Sequence, residues 1–438
     1  MSSEGIDYIL RFLIGEAYAD EFCSLVGYTS NRDEFGKYRV VIVPSPFFRE
    51  EVYGTVASLP VLPLQEVEGV PLLYGNPKTE RVGDTLVVYA DIVASAWFLV
   101  TRYEEMVRRE ARDKHGRFPG CESLPFRAGF ITRPVVDEYG RLLRGWLRQT
   151  GADVHDPEPK IKKVYLTHDI DVPVYCRTLR SFVGRVLNGE NIFRLLSCYF
   201  GKVENDLNYT YPLMVEEDSS LRVAVGNERC ESVYFFKPDG RHLYDKPLYK
   251  IGSRDVKKAL RLLLDNGVTI GLHTSYDGGM LPCKVLPEKR KLESVIGREV
   301  YYNRHHFLGS REPEDMEYLE TAGITDDFTM GYAAVAGFRL GTCRPVRWIN
   351  PSTRRLSGLI LHPLTVMETS LDYHTYMALG YEEALSYCRD LIVQTAKVNG
   401  EVVLLWHNEA FNTVGRTHYA PWQGELYSEL LNHLKQLF

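Results

Sequence analysis

From about residue 160 to the C-terminus the chain repeats one pattern, a short apolar run followed by a run whose apolar positions recur every three or four residues. That alternation limits what it can fold into. KKVYLTHDI reads as a strand, SRDVKKALRLLLDNG as a helix stopped at Gly267, and VTIGLHTS as the next strand. PEDMEYLETAG reads as a helix ending at Gly323, LSGLILHPLTVME as strand, YEEALSYCRDLIVQTAKVNG as helix, EVVLLWHN as strand and GELYSELLNHLKQLF as a closing helix. Strands that alternate with helices lie parallel in one sheet, because a helix is the usual crossover between parallel neighbours. Many such units in one domain predict an α/β fold, an irregular (β/α) barrel or partial barrel.

The first part of the chain is patterned differently. YRVVIVPS and DTLVVYADI are strand-like, and ASAWFLVTRYEEMVRRE has helical periodicity, which together predict a smaller α/β module. GADVHDPEPKIK is polar, carries Gly and Pro and has no periodicity, so it reads as a linker. The expected organisation is an N-terminal α/β domain over 1–152 and a barrel domain over 160–438, each long enough to bury a core.

Charge and cysteine usage narrow the function classes. A net charge of −6 argues against a protein whose main task is to hold phosphate backbones, so nucleic acid is not an expected partner. The basic stretch EKRKLESVIGREV mixes acidic and apolar residues at helical spacing and reads as a solvated helix face. The eight cysteines form no CxxC pair and read as reduced, mostly buried thiols rather than zinc ligands. MSSEGIDYILRFLIGEAYADEF has neither a basic leader nor a small-residue cleavage site, and no stretch approaches about 20 apolar residues. The expectation is a cytoplasmic protein with no membrane span.

Polar residues gather where strands end. His168, Asp169 and Asp171 follow VYL, His273 follows VTIGL, and His407 follows VVLLW. In parallel β/α folds the C-terminal strand ends form the rim at which catalytic groups converge, so three such ends point to one site. A metal that activates water needs a few N or O ligands and a nearby carboxylate to take a proton. THDID offers two carboxylates two residues apart, able to face one way with one as ligand and one as base; the same spacing also suits turn capping. Asp277, four residues after His273, would share its face in a helix, though Gly278 and Gly279 favour a turn. Of His305 and His306 in NRHHFL, at most one would enter a site from an extended segment. Arg339, between Phe338 and Leu340, is either structural or aimed at a carboxylate. His407, at a strand end, is a candidate general acid, or a capping or core histidine.

THDID, GLHTSY, NRHHFL, DDFTMGYAAVAGFRLGTCRP and LLWHN, in that order, resemble a bacterial branch of the polysaccharide deacetylases (NodB homology), related to carbohydrate esterase family 4 and to chitooligosaccharide deacetylases. The resemblance covers about residues 160–438. DIVASAWFLVTRYEE and FITRPVVDEYGRLL look like the accessory module that precedes this branch, in which Trp97, Phe98, Glu104 and Glu105 read as packing and capping residues. The resemblance implies Asp169 as catalytic base, Asp171 and His273 as metal ligands, Arg339 as the arginine that orients the base, and His407 as the acid that protonates the leaving amine. The second motif departs from the pattern, with Asp277 where relatives have a second histidine. The Arg-x-His-aromatic-Leu motif of this branch, matched by Arg304, His306, Phe307 and Leu308, makes His306 the preferred third ligand, with Asp277 as the alternative. An Asp-His-His set suits zinc and other first-row metals.

The expected activity is hydrolysis of an N-acetyl group on a carbohydrate: a polysaccharide, a glycolipid or a sugar-nucleotide precursor. Tyr276 and Trp406 are candidates to stack on a sugar face, although both are also ordinary core aromatics, and Arg304 is a candidate to bind substrate. The rival readings are a metal-dependent amidohydrolase of a non-sugar C–N bond and a carbohydrate-binding relative without turnover. Nothing in the sequence sets the number of subunits. His168 is expected to pack or to stand behind the site.

Overall fold

The computed structural model describes residues 3–415 and 417–438. In chain order the strands are β1 (Val26–Tyr28), β2 (Val40–Ile42), β3 (Gln65–Val67), β4 (Val70–Leu72), β5 (Gly75–Val82) and β6 (Thr85–Ala90). They are followed by β7 (Lys163–Ile170), β8 (Cys230–Phe236), β9 (Thr269–Thr274), β10 (Tyr302–His305) and β11 (Asp326–Asp327). The last are β12 (Val346–Ile349), β13 (Leu356–Leu361), β14 (Val366–Met367) and β15 (Glu401–Leu405).

The N-terminal sheet has the order β1-β2-β6-β5, with β3 and β4 forming a separate antiparallel ribbon. Helix Val135–Gln149 buries Val135, Tyr139, Leu142, Trp146 and Leu147 as one stripe in this core. Helix Ile92–Val100 is buried all round and is capped by Asp91, whose carboxylate accepts from the Ala94 amide. Val346, Ile349 and Leu356, from much later in the chain, join the same core, so the β12–β13 pair packs against the N-terminal region.

The large sheet has nine strands in the order β12-β13-β11-β10-β9-β8-β7-β15-β14, all pairings parallel except β12 with β13. β7, β8 and β15 are buried along almost their whole length, as strands covered on both faces must be. Helix Arg254–Asp265 presents Val256, Ala259, Leu260 and Leu263 to the sheet and is capped by Ser253. It stops before Gly267, whose φ of 72° suits a residue without a Cβ.

The expected barrel is present as a curled sheet that the ladders leave open. LSGLILHPLTVME, read above as one strand, is split: β13 lies one strand in from one edge and β14 is the opposite edge. The four residues between them can span no more than roughly 18 Å, so the two sides of the sheet curl towards each other. Tyr165, Val233, Phe235, Phe328, Leu364, Val403 and Leu405 fill the space enclosed. His362 bridges it, with Nε2 at 2.9 Å from Asp326 Oδ1 on β11 and Nδ1 at 3.0 Å from Glu401 Oε2 on β15. Among the described residues no helix is long and apolar enough to cross a membrane.

Candidate metal centre and active-site cleft

Six adjacent strands, β10-β9-β8-β7-β15-β14, end at one rim and deliver polar residues there. β7 carries Asp169 and is followed by Asp171, on the same face because strand side chains alternate. β9 carries His273, β10 carries Arg304 and leads into His306, and β15 leads into His407. β8 is followed by Lys237 and β14 by Glu368. The cleft above this rim has a volume of about 1120 Å³ and is lined by Asp169, Asp171, Lys237, His306, His407 and Glu409, among others.

Asp171, His273 and His306 offer ligand atoms that all lie within 4.8 Å of one another. Asp171 Oδ2 is 3.1 Å from His306 Nε2, and Asp171 Oδ1 is 3.3 Å from His273 Nε2. The far side of each ring is occupied. His273 Nδ1 lies 3.0 Å from the Arg304 carbonyl, which can only accept, so Nδ1 donates there and the neutral ring has its lone pair on Nε2. His306 Nδ1 lies 3.1 Å from Asp245 Oδ1, the carboxylate contact that usually fixes a ligating histidine in the same way. Asp171 Oδ1 and His273 Nε2 are buried and have no hydrogen-bond partner. With His273 neutral, these are two buried acceptors facing each other, with the Lys237 ammonium 3.8 Å from Asp171 Oδ1, and a cation that takes both lone pairs relieves them. The residues therefore fit a divalent metal with one oxygen and two nitrogen donors. Asp277 stands apart, accepting from the Arg241 amide at 2.9 Å and pairing with Lys284 at 3.4 Å.

Asp169 accepts from Arg304 Nη1 at 3.0 Å through Oδ1, while Oδ2 faces His273 Nε2 at 3.6 Å. Burial pushes its carboxyl up, but His273, Arg304 and His407 together hold it below its ordinary value. Asp171 lies well below the ordinary range: burial opposes this, and His306 and Lys237, the latter 3.8 Å away, outweigh it. His407 is gripped by Glu368, which accepts from its backbone amide at 2.9 Å and stands 2.5 Å from Nδ1. Burial lowers the imidazole, yet Glu368, with Asp171 and Asp169 behind it, carries it up to about 10, so the ring holds its proton. Its Nε2 faces Asp171 Oδ2 at 3.6 Å. Burial and the nearby Asp171 push Glu409 up to about 7.

Several expectations change on this geometry. Arg339 does not reach Asp169: its guanidinium clasps Glu105 of the N-terminal region at 2.8 and 3.0 Å and donates to the Gly331 carbonyl. The arginine on Asp169 is Arg304, which is fully buried between Asp169, the Phe328 carbonyl and the Phe235 ring and so touches no substrate. Trp406 is also fully buried, with Nε1 donating to the Gln423 carbonyl, so no sugar can reach its ring. Tyr276 is enclosed by His115, His242, Tyr244 and Phe307 and does not line the cleft. His168 packs behind the sheet, bonded to the Trp406 carbonyl and near Asp218. Trp97 and Phe98 are buried core rings, while Glu104 accepts from the Leu124 amide and from Arg108 and Arg127.

The sequence reading missed Lys237, Asp245, Glu368 and Glu409. Lys237 and Glu368 follow strands as His273 and His407 do, so the same strand-end rule applies to them. Asp245 sits in a one-turn 3-10 helix with no local signature.

Residues 3–152 match a family model described as "Family of unknown function (DUF7033)". No curated protein matches the chain. Among solved structures, one described as "putative polysaccharide deacetylase from Mycobacterium smegmatis" is similar at 15% identity and a TM-score of 0.41, covering 64% of this chain and 87% of that one. A GH57 branching enzyme from the hyperthermophilic archaeon Thermococcus kodakaraensis, in complex with glucose, is similar at 12% identity and a TM-score of 0.36, covering 63% and 68%.

Proposed function

We propose that this chain is a metal-dependent hydrolase that removes an N-acetyl group from a carbohydrate. The observation that carries the reading is the cluster of Asp171 Oδ1 and His273 Nε2, both buried without a hydrogen-bond partner, beside His306 Nε2. The ordered five-motif resemblance supplies the substrate class, and zinc is the first metal to try for this donor set. A divalent cation held by Asp171, His273 and His306 would supply Lewis acidity towards the acetyl carbonyl and a more acidic water.

The remaining chemistry belongs to the side chains. Asp169, with Oδ2 free, takes the proton of the attacking water, and Arg304 keeps the carboxylate ionised and fixed in direction. His407 carries a proton and gives it to the departing amine nitrogen, and Glu368 holds the ring in place for that transfer. Water adds across the amide, leaving acetate and the free amino sugar.

The test is acetate release by the metal-loaded full chain from N-acetylated mono- and oligosaccharides, beside a panel of linear and cyclic amides. The expected result is acetate from a saccharide, abolished by a chelator and restored by metal. Turnover of a non-sugar amide alone would overturn the substrate assignment, and sugar binding with no turnover at all would overturn the enzyme reading.

A further inference from the structure

The N-terminal region reaches the cleft. Its segment 113–120 places His115, Arg117 and Phe118 on the same lining as Asp169, Asp171 and His407. The segment is tied down from both sides. Arg117 Nη1 donates to the Phe307 carbonyl at 2.8 Å and pairs with Asp113, and Arg311 Nε donates to the His115 carbonyl at 3.0 Å. The His115 ring shares a hydrogen bond of 3.3 Å with the Tyr276 hydroxyl. Phe307 and Leu308 have φ of 61° and 51°, a left-handed conformation that costs energy for residues with a Cβ. Arg117 thus grips the strained turn that follows His306.

The His115 ring is wedged against two aromatic rings, 4.7 Å from Tyr244 and 4.9 Å from Phe307 by centroids, which also touch each other at 5.5 Å. Tyr244 and Phe307 are half-buried and line the cleft. Phe307 directly follows His306, and Tyr244 directly precedes Asp245, which holds His306 from behind. The aromatic wall therefore starts at the metal centre. Burial, reinforced by Arg117, pushes His115 down to about 4, so at neutral pH the wedge is an uncharged ring. A pyranose has an apolar face of C–H groups and polar edges, which matches ring faces flanked by hydroxyl and imidazole groups.

We infer that Tyr244 and Phe307 stack against a sugar ring of an N-acetylated oligosaccharide, with His115 of the N-terminal region as the positioning residue that packs against both rings and fixes their direction. The inference rests on the carbohydrate part of the reading above. It gives the region of unknown function a task, building one wall of the substrate cleft and so selecting oligosaccharides over single sugars.

Calorimetric binding of an N-acetylglucosamine tetramer and of the monomer to the full-length, metal-free protein tests this without any turnover. The expected result is that the tetramer binds more tightly than the monomer and that Tyr244→Ala and His115→Ala each weaken the tetramer by roughly five- to tenfold. His115→Phe, which keeps a ring in the wedge, is expected to restore most of that loss. Melting temperatures of each variant separate a lost wall from a lost fold. Wild-type tetramer affinity in a folded Tyr244→Ala or His115→Ala variant would overturn the inference, as would a wild-type protein that prefers the monomer or binds neither. Ring-dependent tetramer binding in a protein that releases no acetate would leave the wall standing and remove the hydrolase reading.

Discussion

Two buried arginine–carboxylate clusters, Asp169 with Arg304 at the candidate metal centre and Glu105 with Arg102 and Arg339 between the N-terminal region and the β11–β12 connection, use the same groups for different ends. Glu105 is saturated: Arg339 takes Oε1 and Oε2, and Arg102 donates twice more to Oε2 while also reaching the Ser310 hydroxyl and carbonyl. Asp169 is engaged by Arg304 through Oδ1 alone, and its Oδ2 is left facing the candidate metal centre. A carboxylate with both oxygens committed holds structure together, whereas one with an oxygen left to a cleft can move a proton. Both carboxylates are buried, but two guanidinium groups meet Glu105 and one meets Asp169, which leaves Asp169 Oδ2 without an arginine.

The sharpest way to break that distinction is Asp169→Asn. We expect a fall in kcat of about 10²- to 10⁴-fold with metal content close to wild type; Arg304 keeps an oxygen to bond but loses its counter-charge, so some stability is lost as well. A variant that stays active and loses stability instead would make Asp169 a second Glu105.

Glu105→Gln should show the opposite profile, a loss of roughly 3–5 kcal/mol in chemical denaturation, since it leaves two buried guanidinium groups without their counter-charge. Burial pushes Glu105 up, but Arg102 and Arg339 pull it down to about 2, below its ordinary 4.5. A carboxyl depressed on folding contributes stability that is full above its ordinary value and is lost as pH falls from about 4.5 towards 2. Acid titration of wild type beside the Gln variant should therefore show the variant with the weaker dependence across that window.

The metal assignment sharpens the comparison from the other side. His306→Ala should lower metal affinity by more than the roughly 10- to 100-fold that loss of an outer-sphere partner costs, whereas Asp277→Ala, whose carboxylate is committed to Arg241 and Lys284, should leave it unchanged. Metal content after dialysis against a graded chelator reads both.

The smallest effect concerns His362, which is buried like the two pairs above but spans the open side of the curled sheet. Burial lowers its pKa, but hydrogen bonds to Asp326 and Glu401 raise it to about 9 from 6.5. A histidine raised on folding stabilises fully below its ordinary value, and that contribution is lost as pH rises through about 9. Stability should decline between those values by on the order of 1–3 kcal/mol, and His362→Gln should flatten the decline.

Much of the site was legible in residue order. The alternation of strand and helix after residue 160 predicted a parallel sheet. The period of two along KVYLTHDI put Asp169 and Asp171 on one face, and the strand-end rule drew His273 and His407 to the rim. These are local properties: the backbone geometry of a strand sets which way a side chain points, whatever lies around it.

The choice of partners was not legible. Arg304 is flanked by Asn303 and His305 and Arg339 by Phe338 and Leu340, and nothing near either says which one meets Asp169. Sheet order decides it, because β10 pairs with β9 in a register that sets Arg304 beside His273, while Arg339 lies on a long connection that turns towards Glu105. The same holds for Tyr276, enclosed by His115 from the N-terminal region, and for Trp406, covered by helix Gln423–Leu434. LSGLILHPLTVME contains no mark of the break at which it leaves one side of the sheet and joins the other. Local order gave most of the elements, their facing and the residue types at their ends. Which charges pair, how far the sheet closes and that the N-terminal region reaches the cleft came from the tertiary structure, because those depend on contacts between residues tens to hundreds of positions apart.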